Sequence, residues 1–268
     1  MKPDESSSEE KEALVNQHGI NTIIDLRSKS AFHSFAVFDP SLSPKHRTEH
    51  IQKAKKHTST AAIEIPSISY RYISLNGPSF ERALLWRLPW LSMAKLIALM
   101  GLGYRLEAIS IIGTQVMEPR GLTGLAFDTL AMSTAEIEAV CMLFADEAEY
   151  PIMIHCTQGK DRTGLAIVLM LLLLEVPVQA IATDYVASER ELEVELEERT
   201  ADMRKVGLGR DFAGCPSGFV EAVVSELDSK YGGVKSYLED KVGISEEIQE
   251  KIRTIMLVRW SLAPNSTG

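Results

Sequence analysis

The sequence predicts an α/β domain in which a small, largely parallel sheet is surrounded by many helices. Short runs of β-branched and apolar residues, the mark of buried strands, are few. Long segments with helical periodicity separate them, and a length of 268 residues suits one large domain. We expect a single domain over 20–262, preceded by a polar segment with a short helix over 1–19 and followed by a tail over 263–268.

Local signals mark the N-terminal helix and the strands. Two Ser/Glu pairs have the spacing of a capping box and open a helix that should stop at Gly19: Ser6 with Glu9, and Ser7 with Glu10. Three runs have strand character: "INTIID" (20–25), "YRYISL" (70–75) and "PIMIH" (151–155). The last run is short and almost wholly apolar, which is typical of a strand buried on both faces of a central sheet.

Helical patterns fill most of the remaining chain. Residues 80–117 are helical in pattern, with a break around Gly101 and Gly103. A further capping-box pair, Ser133 and Glu136, precedes apolar residues at helical spacing: Ile137, Val140, Cys141, Phe144 and Ala148. Later helices are expected over 162–175, from 178 onward, and over 188–205, 217–233 and 245–260.

Composition and charge limit the classes of partner and compartment. The formal net charge is -9, which disfavours non-specific binding to nucleic acid or anionic membranes, so an anionic ligand needs a local positive field. Three widely spaced cysteines do not have the pattern of a disulfide framework. The first residues are acidic and polar, unlike a secretory leader. We therefore expect a cytoplasmic protein, with the nucleus as a second compartment.

Two apolar stretches must be compared with a membrane span. The stretch "LLWRLPWLSMAKLIALMG" (84–101) contains Arg87 and Lys95. The run Leu165–Leu174 is closed by Glu175, well short of the roughly 20 apolar residues that cross a bilayer. We expect both stretches to form buried helices and the chain to have no transmembrane segment.

One loop brings together groups that bind anions. The segment "HCTQGKDRTG" (155–164) follows the predicted strand 151–155 and precedes the predicted helix 162–175, so N–H groups of the loop and of the first helical turn converge. Gly159 allows a tight turn, and Gly164 allows close helix packing. Arg162 presents a planar fork that holds two phosphate oxygens. The predicted phosphate-binding residues are Thr157, Gln158, Gly159, Lys160 and Arg162.

Cys156 is the predicted nucleophile of this loop. A helix N-terminus and nearby cations bring a thiol pKa to roughly 3.5 to 7.5, so we expect a thiolate that attacks phosphorus and forms a thiophosphate intermediate. Asp161 is the nearest carboxylate in the sequence and the predicted acid, then base. Thr163 is predicted to donate its hydroxyl to the sulfur, and His155 to organise the loop through a backbone hydrogen bond.

These residues resemble a known family. The loop "HCTQGKDRTG" looks like the signature of the atypical tyrosine and lipid phosphatases of bacteria and fungi, which reads His-Cys-x-x-Gly-Lys-Asp-Arg-Thr-Gly. Three further segments resemble landmarks of that family: "IIDLRS" (23–28), "GLAIVLMLLLLEVPVQAIATDYVAS" (164–188) and "KYGGVKSYLEDKVGIS" (230–245). The resemblance therefore runs from Ile20 to Ile255.

The resemblance implies a protein-tyrosine-phosphatase-like fold that needs no metal or other cofactor. It implies hydrolysis of phosphotyrosine, in some members of phosphoserine or phosphothreonine, and of phosphoinositides. The implied partners are thus a phosphorylated protein or an inositol-lipid headgroup. The net charge of -9 separately predicts no nucleic-acid partner. It also places the general acid inside the loop, at Asp161. Family members begin with a further segment before "IIDLRS", so we expect a sheet that is shorter here by an edge strand.

Two segments exceed a compact connection. The insertion 31–67 carries a run of basic residues: Lys45, Arg47, Lys53, Lys55 and Lys56. We favour a solvated loop or helix face for this run, and guidance of a polyanionic substrate is the alternative. The helical segment 177–206 is a candidate lid over the site.

Other residues are weaker candidates for chemistry. A metal site at the histidines of the insertion lacks completing ligands: His46, His50 and His57. Cys141 is predicted to be core, with redox pairing to Cys156 as an open alternative, and Cys215 is predicted to mark the start of a helix. The alternative general acids are Asp128, Asp146 and Glu147.

Two functions compete with a phosphatase. One is a phosphate-recognition module that keeps the anion site without turnover, and the other is a rhodanese-like sulfur carrier with a persulfide on Cys156. The loop has every group that turnover needs, which disfavours the recognition module. The lysine and aspartate pair inside the loop disfavours the sulfur carrier.

Overall fold

The computed structural model describes residues 7–27, 65, 67–192 and 196–262, and within them the predicted α/β architecture is confirmed. The sheet has three parallel strands in the order β2-β1-β3: β1 (Thr22–Asp25), β2 (Ser69–Tyr72) and β3 (Ile152–His155). Asp25 aligns with Tyr72 on one side and His155 on the other, so the three strands end together. In parallel sheets, this carboxyl edge is where ligands bind.

Eleven helices surround the sheet within the described ranges: α1 (Ser8–Asn16), α2 (Pro78–Leu85), α3 (Trp90–Gly101), α4 (Arg105–Ile112), α5 (Glu118–Met132), α6 (Thr134–Phe144), α7 (Asp161–Leu173), α8 (Val178–Leu192), α9 (Leu196–Lys205), α10 (Phe219–Tyr231) and α11 (Glu246–Leu262). Shorter helical turns lie at Gly113–Met117, Glu147–Glu149, Arg210–Phe212, Val234–Ser236 and Tyr237–Val242.

The start of α1 follows the sequence signal. The Ser7 hydroxyl accepts from the Glu10 amide at 3.2 Å, and the Glu10 carboxylate accepts from the Ser7 amide at 2.7 Å, so the predicted capping box is formed. The helix ends before Gly19, whose φ of +60° lies in the left-handed region. Leu14 then packs α1 against Ile23 of β1.

The central strand is β1, and this corrects one prediction. All four residues of β1 are buried, whereas Ile152, Met153 and Ile154 of β3 are only partly buried. The prediction that 151–155 is buried on both faces was therefore wrong, because β3 pairs only with β1 among the described strands. The buried Thr22 side chain of β1 has a hydrogen-bond partner, since its hydroxyl donates to Glu149 at 2.6 Å.

Helix α7 is the centre of the main core. It is buried along most of its length, which confirms the prediction for the run Leu165–Leu174. The same core cluster includes residues from β1, α5, α6 and α10: Ile24, Leu130, Val140, Phe144, Phe219 and Val223. Since α7 begins directly after the loop that follows β3, this packing fixes the position of the loop.

Helix α6 matches its predicted apolar face but not its predicted cap. Four of the five apolar positions are buried: Ile137, Val140, Cys141 and Phe144. Ala148 is exposed, because the helix ends at Phe144. The Ser133 hydroxyl is buried and makes no hydrogen bond within the described part of the chain. Its φ of -104° and ψ of 36° are not the extended values of a capping residue, so the predicted capping box was wrong.

A second, smaller core is formed by α2, α3 and α4. Its buried members include Phe80, Leu84, Leu96, Ala108 and Ile111. The prediction of a buried helix over 84–101 was wrong for α3, in which Leu96 is the residue that is fully buried. Trp90, Leu91 and Ile97 of α3 are exposed, because α3 packs on its neighbours along one side only.

The described helices can be compared with the requirements of a membrane span. No helix in the described ranges combines the length and the apolar character that crossing a bilayer requires.

Several predictions lie outside the described residues. These are the basic run and the three histidines of the insertion 31–67, of which only 65 and 67 are described, together with 1–6 and 263–268. Among the residues that the structure does describe, no group of three or more His, Cys, Asp or Glu is arranged to hold a metal ion.

Candidate active site

The loop 156–160 joins the carboxyl end of β3 to the first turn of α7. Cys156 is the first residue after β3 and its side chain is buried. Gly159 has a φ of +72°, so the loop turns at the residue where the sequence predicted it. Lys160 is the N-cap of α7, followed by Asp161 and Arg162 in the first turn. The helix N-terminus therefore faces the loop that begins with the thiol.

The surroundings of Cys156 favour the thiolate. Burial alone raises the pKa of this thiol. The Thr163 hydroxyl, the charge of Arg162 and the amides of Thr163 and Gln158 act in the opposite direction and outweigh burial, so the pKa is lowered from its usual value of 9.0. The thiolate is the form that acts as a nucleophile, and a lowered pKa increases its share.

Cys141 shows what burial does without those neighbours. It is as inaccessible as Cys156 and sits in the apolar core beneath α7. Burial raises the pKa of its thiol to about 12. Cys141 is thus a core residue as predicted, and the structure holds it as a protonated thiol.

The Thr163 side chain lies close to the Cys156 sulfur. Its hydroxyl oxygen is buried and has no well-aligned hydrogen-bond partner within the described ranges. It lies close enough to Cys156 to lower the pKa of that thiol. A hydroxyl in this position can rotate its proton toward the sulfur when the sulfur carries the negative charge.

Arg162 is held by two contacts that leave its guanidinium beside the loop. Nη1 donates to the Leu26 carbonyl at 3.3 Å, and Nη2 donates to the Thr157 hydroxyl at 3.2 Å. Leu26 directly follows β1, so the end of the central strand fixes the arginine. A guanidinium positioned in this way keeps further N–H donors for a phosphate, because arginine has five.

His155 organises the loop, as the sequence predicted. Its Nδ1 lies 3.1 Å from the carbonyl oxygen of Cys156. Its Nε2 lies 4.0 Å from Oδ2 of Asp25 at the end of β1, and both side chains are buried. Asp25 in turn accepts from the Arg27 amide and guanidinium. The strand end beneath the nucleophile is thereby fixed by side chains of both β1 and β3.

The Lys160 side chain, which the sequence predicts to bind phosphate, makes its hydrogen bonds within the protein. It is buried, and its ammonium donates to Asp161 Oδ1 at 2.7 Å, to the Gly214 carbonyl at 2.8 Å and to the Phe212 carbonyl at 3.2 Å. A lysine has three N–H donors, so all three are engaged. Phosphate binding by this side chain would require one of these bonds to break.

Asp161 and Arg162 line a cleft of about 260 Å³. The other lining residues are mostly apolar and come from α5, α9, α10 and the connection between α9 and α10: Leu122, Leu125, Ala126, Met203, Val206, Leu208, Phe212 and Phe219. Asn76 and Thr129 are polar members. Two charged side chains thus lie beside a lining that is mostly apolar.

The connection 206–214 was missed by sequence reasoning. It supplies the two carbonyls that accept from Lys160 and three of the residues that line the cleft. It is anchored by the Gly209 amide, which donates to Glu118 at 2.8 Å. Its glycines indicate a loop. Nothing in its residues indicates contact with a loop about 50 positions earlier.

The alternative general acids are engaged elsewhere. Asp128 is buried and forms ion pairs with Arg87 and Arg120. Burial raises the pKa of Asp128, but the two arginines lower it by more, so the net shift is downward. This carboxyl group is therefore held ionised and is a poor proton donor. Asp146 accepts from the Ala148 amide at 3.0 Å and caps the turn Glu147–Glu149. Glu147 is exposed on that turn.

A parallel α/β domain with a cysteine and an arginine in one strand–loop–helix turn has the architecture of cysteine-dependent phosphatases. Residues 2–258 match the tyrosine phosphatase family, and the chain belongs to that family. It is 30% identical over 167 residues to a tyrosine-protein phosphatase of Nostoc commune, covering 55% of this chain and 56% of the relative. It is 26% identical over 122 residues to the triple specificity protein phosphatase PtpB of Mycobacterium tuberculosis, covering 40% and 44%. The chain thus matches about half the length of these curated relatives.

Proposed function

We propose that this chain hydrolyses phosphomonoesters through a phosphocysteine intermediate on Cys156. The observation that carries the proposal is the place of Cys156 between the end of β3 and the N-terminus of α7, with Arg162 and Thr163 in the first turn. These neighbours lower the pKa of this buried thiol, whereas burial raises the pKa of the equally buried Cys141. Burial opposes a thiolate in both places. Only at Cys156 do a guanidinium, a hydroxyl and two amides converge on the sulfur.

In the first step, the Cys156 sulfur attacks phosphorus and a sulfur–phosphorus bond forms. The bond from phosphorus to the ester oxygen breaks, and the Asp161 carboxyl group gives its proton to that oxygen. Arg162 and the loop amides hold the other phosphate oxygens, where charge accumulates in the transition state. Thr157, Gln158 and Gly159 contribute main-chain N–H groups to this cradle.

In the second step, water attacks the phosphocysteine. The Asp161 carboxylate takes a proton from the water, the sulfur–phosphorus bond breaks, and inorganic phosphate leaves. Thr163 donates its hydroxyl to the departing thiolate, which makes sulfur a better leaving group. Asp161 ends the cycle protonated again, as the first step needs. No metal or other cofactor enters either step.

The substrate proposal is phosphotyrosine in proteins, with phosphoserine, phosphothreonine and phosphoinositide headgroups as further substrates. The cleft beside Asp161 and Arg162 supports the choice of phosphotyrosine, because its apolar lining suits an aromatic ring carrying the phosphate. The names of both relatives agree with an action on phosphorylated protein. The helices α8 and α9 remain a candidate lid, since Met203 of α9 lines the same cleft.

Substitution of Cys156 tests the chemistry. With p-nitrophenyl phosphate, Cys156→Ser should lower kcat by at least about 10³-fold, because it removes the nucleophile. Binding of inorganic phosphate or vanadate should stay measurable by calorimetry, because the donors remain. The matched control is Cys141→Ser, which should keep kcat within a few-fold. Equal kcat for wild type and Cys156→Ser contradicts the proposal. A wild-type chain that binds phosphate without turnover identifies a recognition module.

Alkylation tests the thiolate without turnover. At pH 6, iodoacetamide should modify Cys156 at least about tenfold faster than an ordinary thiol, since only the thiolate reacts. Peptide mass spectrometry locates the label, and Cys141 should stay unlabelled in the folded chain. A rate at Cys156 equal to that of a free cysteine would remove the basis for the mechanism. A panel of phosphotyrosine peptides, phosphoserine peptides and soluble phosphoinositides then ranks the substrates by kcat/KM.

A further inference from the structure

The most exposed apolar side chains of the described residues are concentrated in one stretch, 86–106. Seven of the thirteen large hydrophobic side chains that are exposed within the described ranges fall there: Trp86, Trp90, Leu91, Ile97, Leu102, Tyr104 and Leu106. Trp86 is 86% exposed and Trp90 is 76% exposed. These seven residues are called the apolar surface below. A concentration of large exposed apolar side chains indicates an interaction site.

The solvent-exposed face of α3 is as apolar as a face that packs into a protein core. Residues exposed along it recur at helical spacing and are apolar: Trp90, Leu91, Ala94, Ile97, Ala98 and Gly101. Lys95, at the margin of this face, is the polar exception. The opposite side holds the buried Leu96 and packs into the second core. Both sides of α3 are therefore apolar, and one of them has no covering element in the described structure.

The charges around the apolar surface are mostly positive, with Glu81 and the exposed Glu107 at the two ends of the stretch. Between 82 and 106 the sequence contains four cations, Arg82, Arg87, Lys95 and Arg105, and neither aspartate nor glutamate. Arg87 is paired with Asp128. The other three also reach solvent, and Arg82 donates to the Ser79 hydroxyl at 3.3 Å. The chain as a whole carries -9, so this stretch is a local positive region on an acidic protein.

We propose that the apolar surface binds an anionic lipid bilayer, with α3 lying along the headgroup region rather than crossing the membrane. Tryptophan and tyrosine concentrate at the membrane–water interface, because their rings are apolar and their N–H or O–H groups remain hydrated. Exposed lysine and arginine beside them are attracted to anionic headgroups. A helix with an apolar face and flanking cations has the pattern of an interfacial membrane-binding element.

The charges favour a bilayer over a second copy of this chain. A symmetric dimer through this surface would bring Lys95 and its cationic neighbours of two chains together, and like charges across an interface are unfavourable. A bilayer containing phosphatidylserine offers the opposite sign over an extended plane.

The apolar surface is supported by the second core, which adjoins the cleft beside Asp161 and Arg162. Its inner side is the second core, which Arg87 connects to α5 through Asp128. Met117 and Leu125 pack against this core and also line the cleft beside Asp161 and Arg162. Membrane binding would therefore hold the active-site cleft close to the bilayer. The binding itself requires no catalysis, so it is tested independently of the proposed function.

Vesicle co-sedimentation of the full chain tests the proposal. Vesicles of pure phosphatidylcholine are compared with vesicles in which about one lipid in three is phosphatidylserine. We expect the wild type to bind the anionic vesicles and to lose most of that binding at high salt, because the electrostatic part is screened. Trp90→Ser/Leu91→Ser should weaken partitioning at least about tenfold, since two interfacial side chains are removed. Arg82→Glu/Lys95→Glu should weaken it by about tenfold or more.

Matched controls distinguish binding through the apolar surface from non-specific binding to vesicles. Leu257→Ser removes an exposed leucine from α11, and Lys241→Glu reverses an exposed charge far along the chain. Both should bind vesicles like the wild type. Turnover of soluble p-nitrophenyl phosphate should be unchanged in the Trp90/Leu91 variant, which shows that it folds.

Three results would overturn the proposal. These are no binding of the wild type to anionic vesicles, equal binding of the Trp90/Leu91 variant and the wild type, or a dimer in light scattering that Trp90→Ser/Leu91→Ser dissociates. The last result assigns the surface to a second copy of the chain.

Discussion

Lys160 Nζ lies 2.7 Å from Oδ1 of Asp161, and the lysine side chain is fully enclosed while the aspartate faces the cleft. The same ammonium is bound to the carbonyls of Phe212 and Gly214. Lys160 therefore connects the candidate acid to the connection between α9 and α10. We infer that it positions Asp161 rather than contacting the substrate.

Lys160→Met tests this positioning. The variant leaves the Phe212 and Gly214 carbonyls without their donor and Asp161 without its partner, so the free energy of unfolding should fall by about 2–4 kcal/mol. If Asp161 loses its orientation, kcat should fall by about 10- to 100-fold while KM changes little. Urea unfolding and steady-state kinetics measure the two effects.

The exposed Lys230 provides the control for this substitution. It pairs with Glu226 at 3.0 Å on the surface of α10, and Lys230→Met should change stability by less than about 1 kcal/mol. A Lys160→Met chain with unchanged stability would show that the enclosed ammonium is not needed. An equal loss of kcat/KM through KM alone would instead assign Lys160 to substrate binding.

Gly164 allows α7 and α8 to approach, and Gly164→Ala tests this contact. A Cβ at this position would lie 2.8 Å from Cε2 of Tyr185, whose ring is stacked on Phe219 at 4.7 Å between centroids. The ring has little room to move, so we expect a loss of about 1–3 kcal/mol in thermal or urea unfolding. Gly101→Ala, where the new Cβ meets no atom within 4 Å, should be neutral or slightly stabilising. Equal effects of the two substitutions would contradict the clash.

Local chemistry was predictable from the sequence. The turn at Gly159, the helix after Asp161, the role of His155 and the core position of Cys141 each depend on residues within a few positions. The capping box at Ser7 was equally local, but the one at Ser133 failed although the spacing was the same. Spacing does not fix the backbone, and Ser133 is not extended.

Long-range relationships were not predictable. The partners of Lys160 lie at Phe212 and Gly214, and only the fold brings them to the loop. The central place of β1 depends on strand order, which short apolar runs do not encode. The exposure of α3 was missed because a helix that is apolar all round indicates burial. Its solvent face offers almost no polar residue that would have revealed it.

Glu149 links the start of β3 to the other two strands, and Glu149→Gln tests this link. Its carboxylate accepts from the Thr22 hydroxyl at 2.6 Å and from the Arg71 guanidinium. The hydrogen bond from Arg71 lowers the pKa of Glu149, burial partly opposes this, and Thr22 lowers the pKa further. At pH 7, Glu149→Gln should reduce the free energy of unfolding by about 1–3 kcal/mol.

The pH dependence of this effect has a defined sign. A carboxyl group with a depressed folded-state pKa stabilises the fold above its unfolded value of about 4.5, and this stabilisation disappears as pH falls through the folded pKa. The difference between wild type and Glu149→Gln should therefore be constant above pH 6 and shrink below about pH 4. Glu226→Gln, which removes a surface pair, should cost about 0.5 kcal/mol or less. A difference for Glu149→Gln that grows in acid would refute the assignment.

Glu81 of α2 should show the opposite dependence. Burial raises the pKa of this carboxyl group to about 7, so ionisation opposes folding. The fold gains from the protonated form, and this gain is complete below about pH 4.5 and lost as pH rises through 7. Glutamine does not ionise, so the stability of Glu81→Gln relative to wild type should rise by about 1–3 kcal/mol between pH 4.5 and pH 8 and then level off. Urea unfolding of both chains across this range measures the difference, in which the titration of all other groups cancels. A difference that is independent of pH would show that Glu81 ionises normally, and that the second core beneath the apolar surface does not exclude water from it.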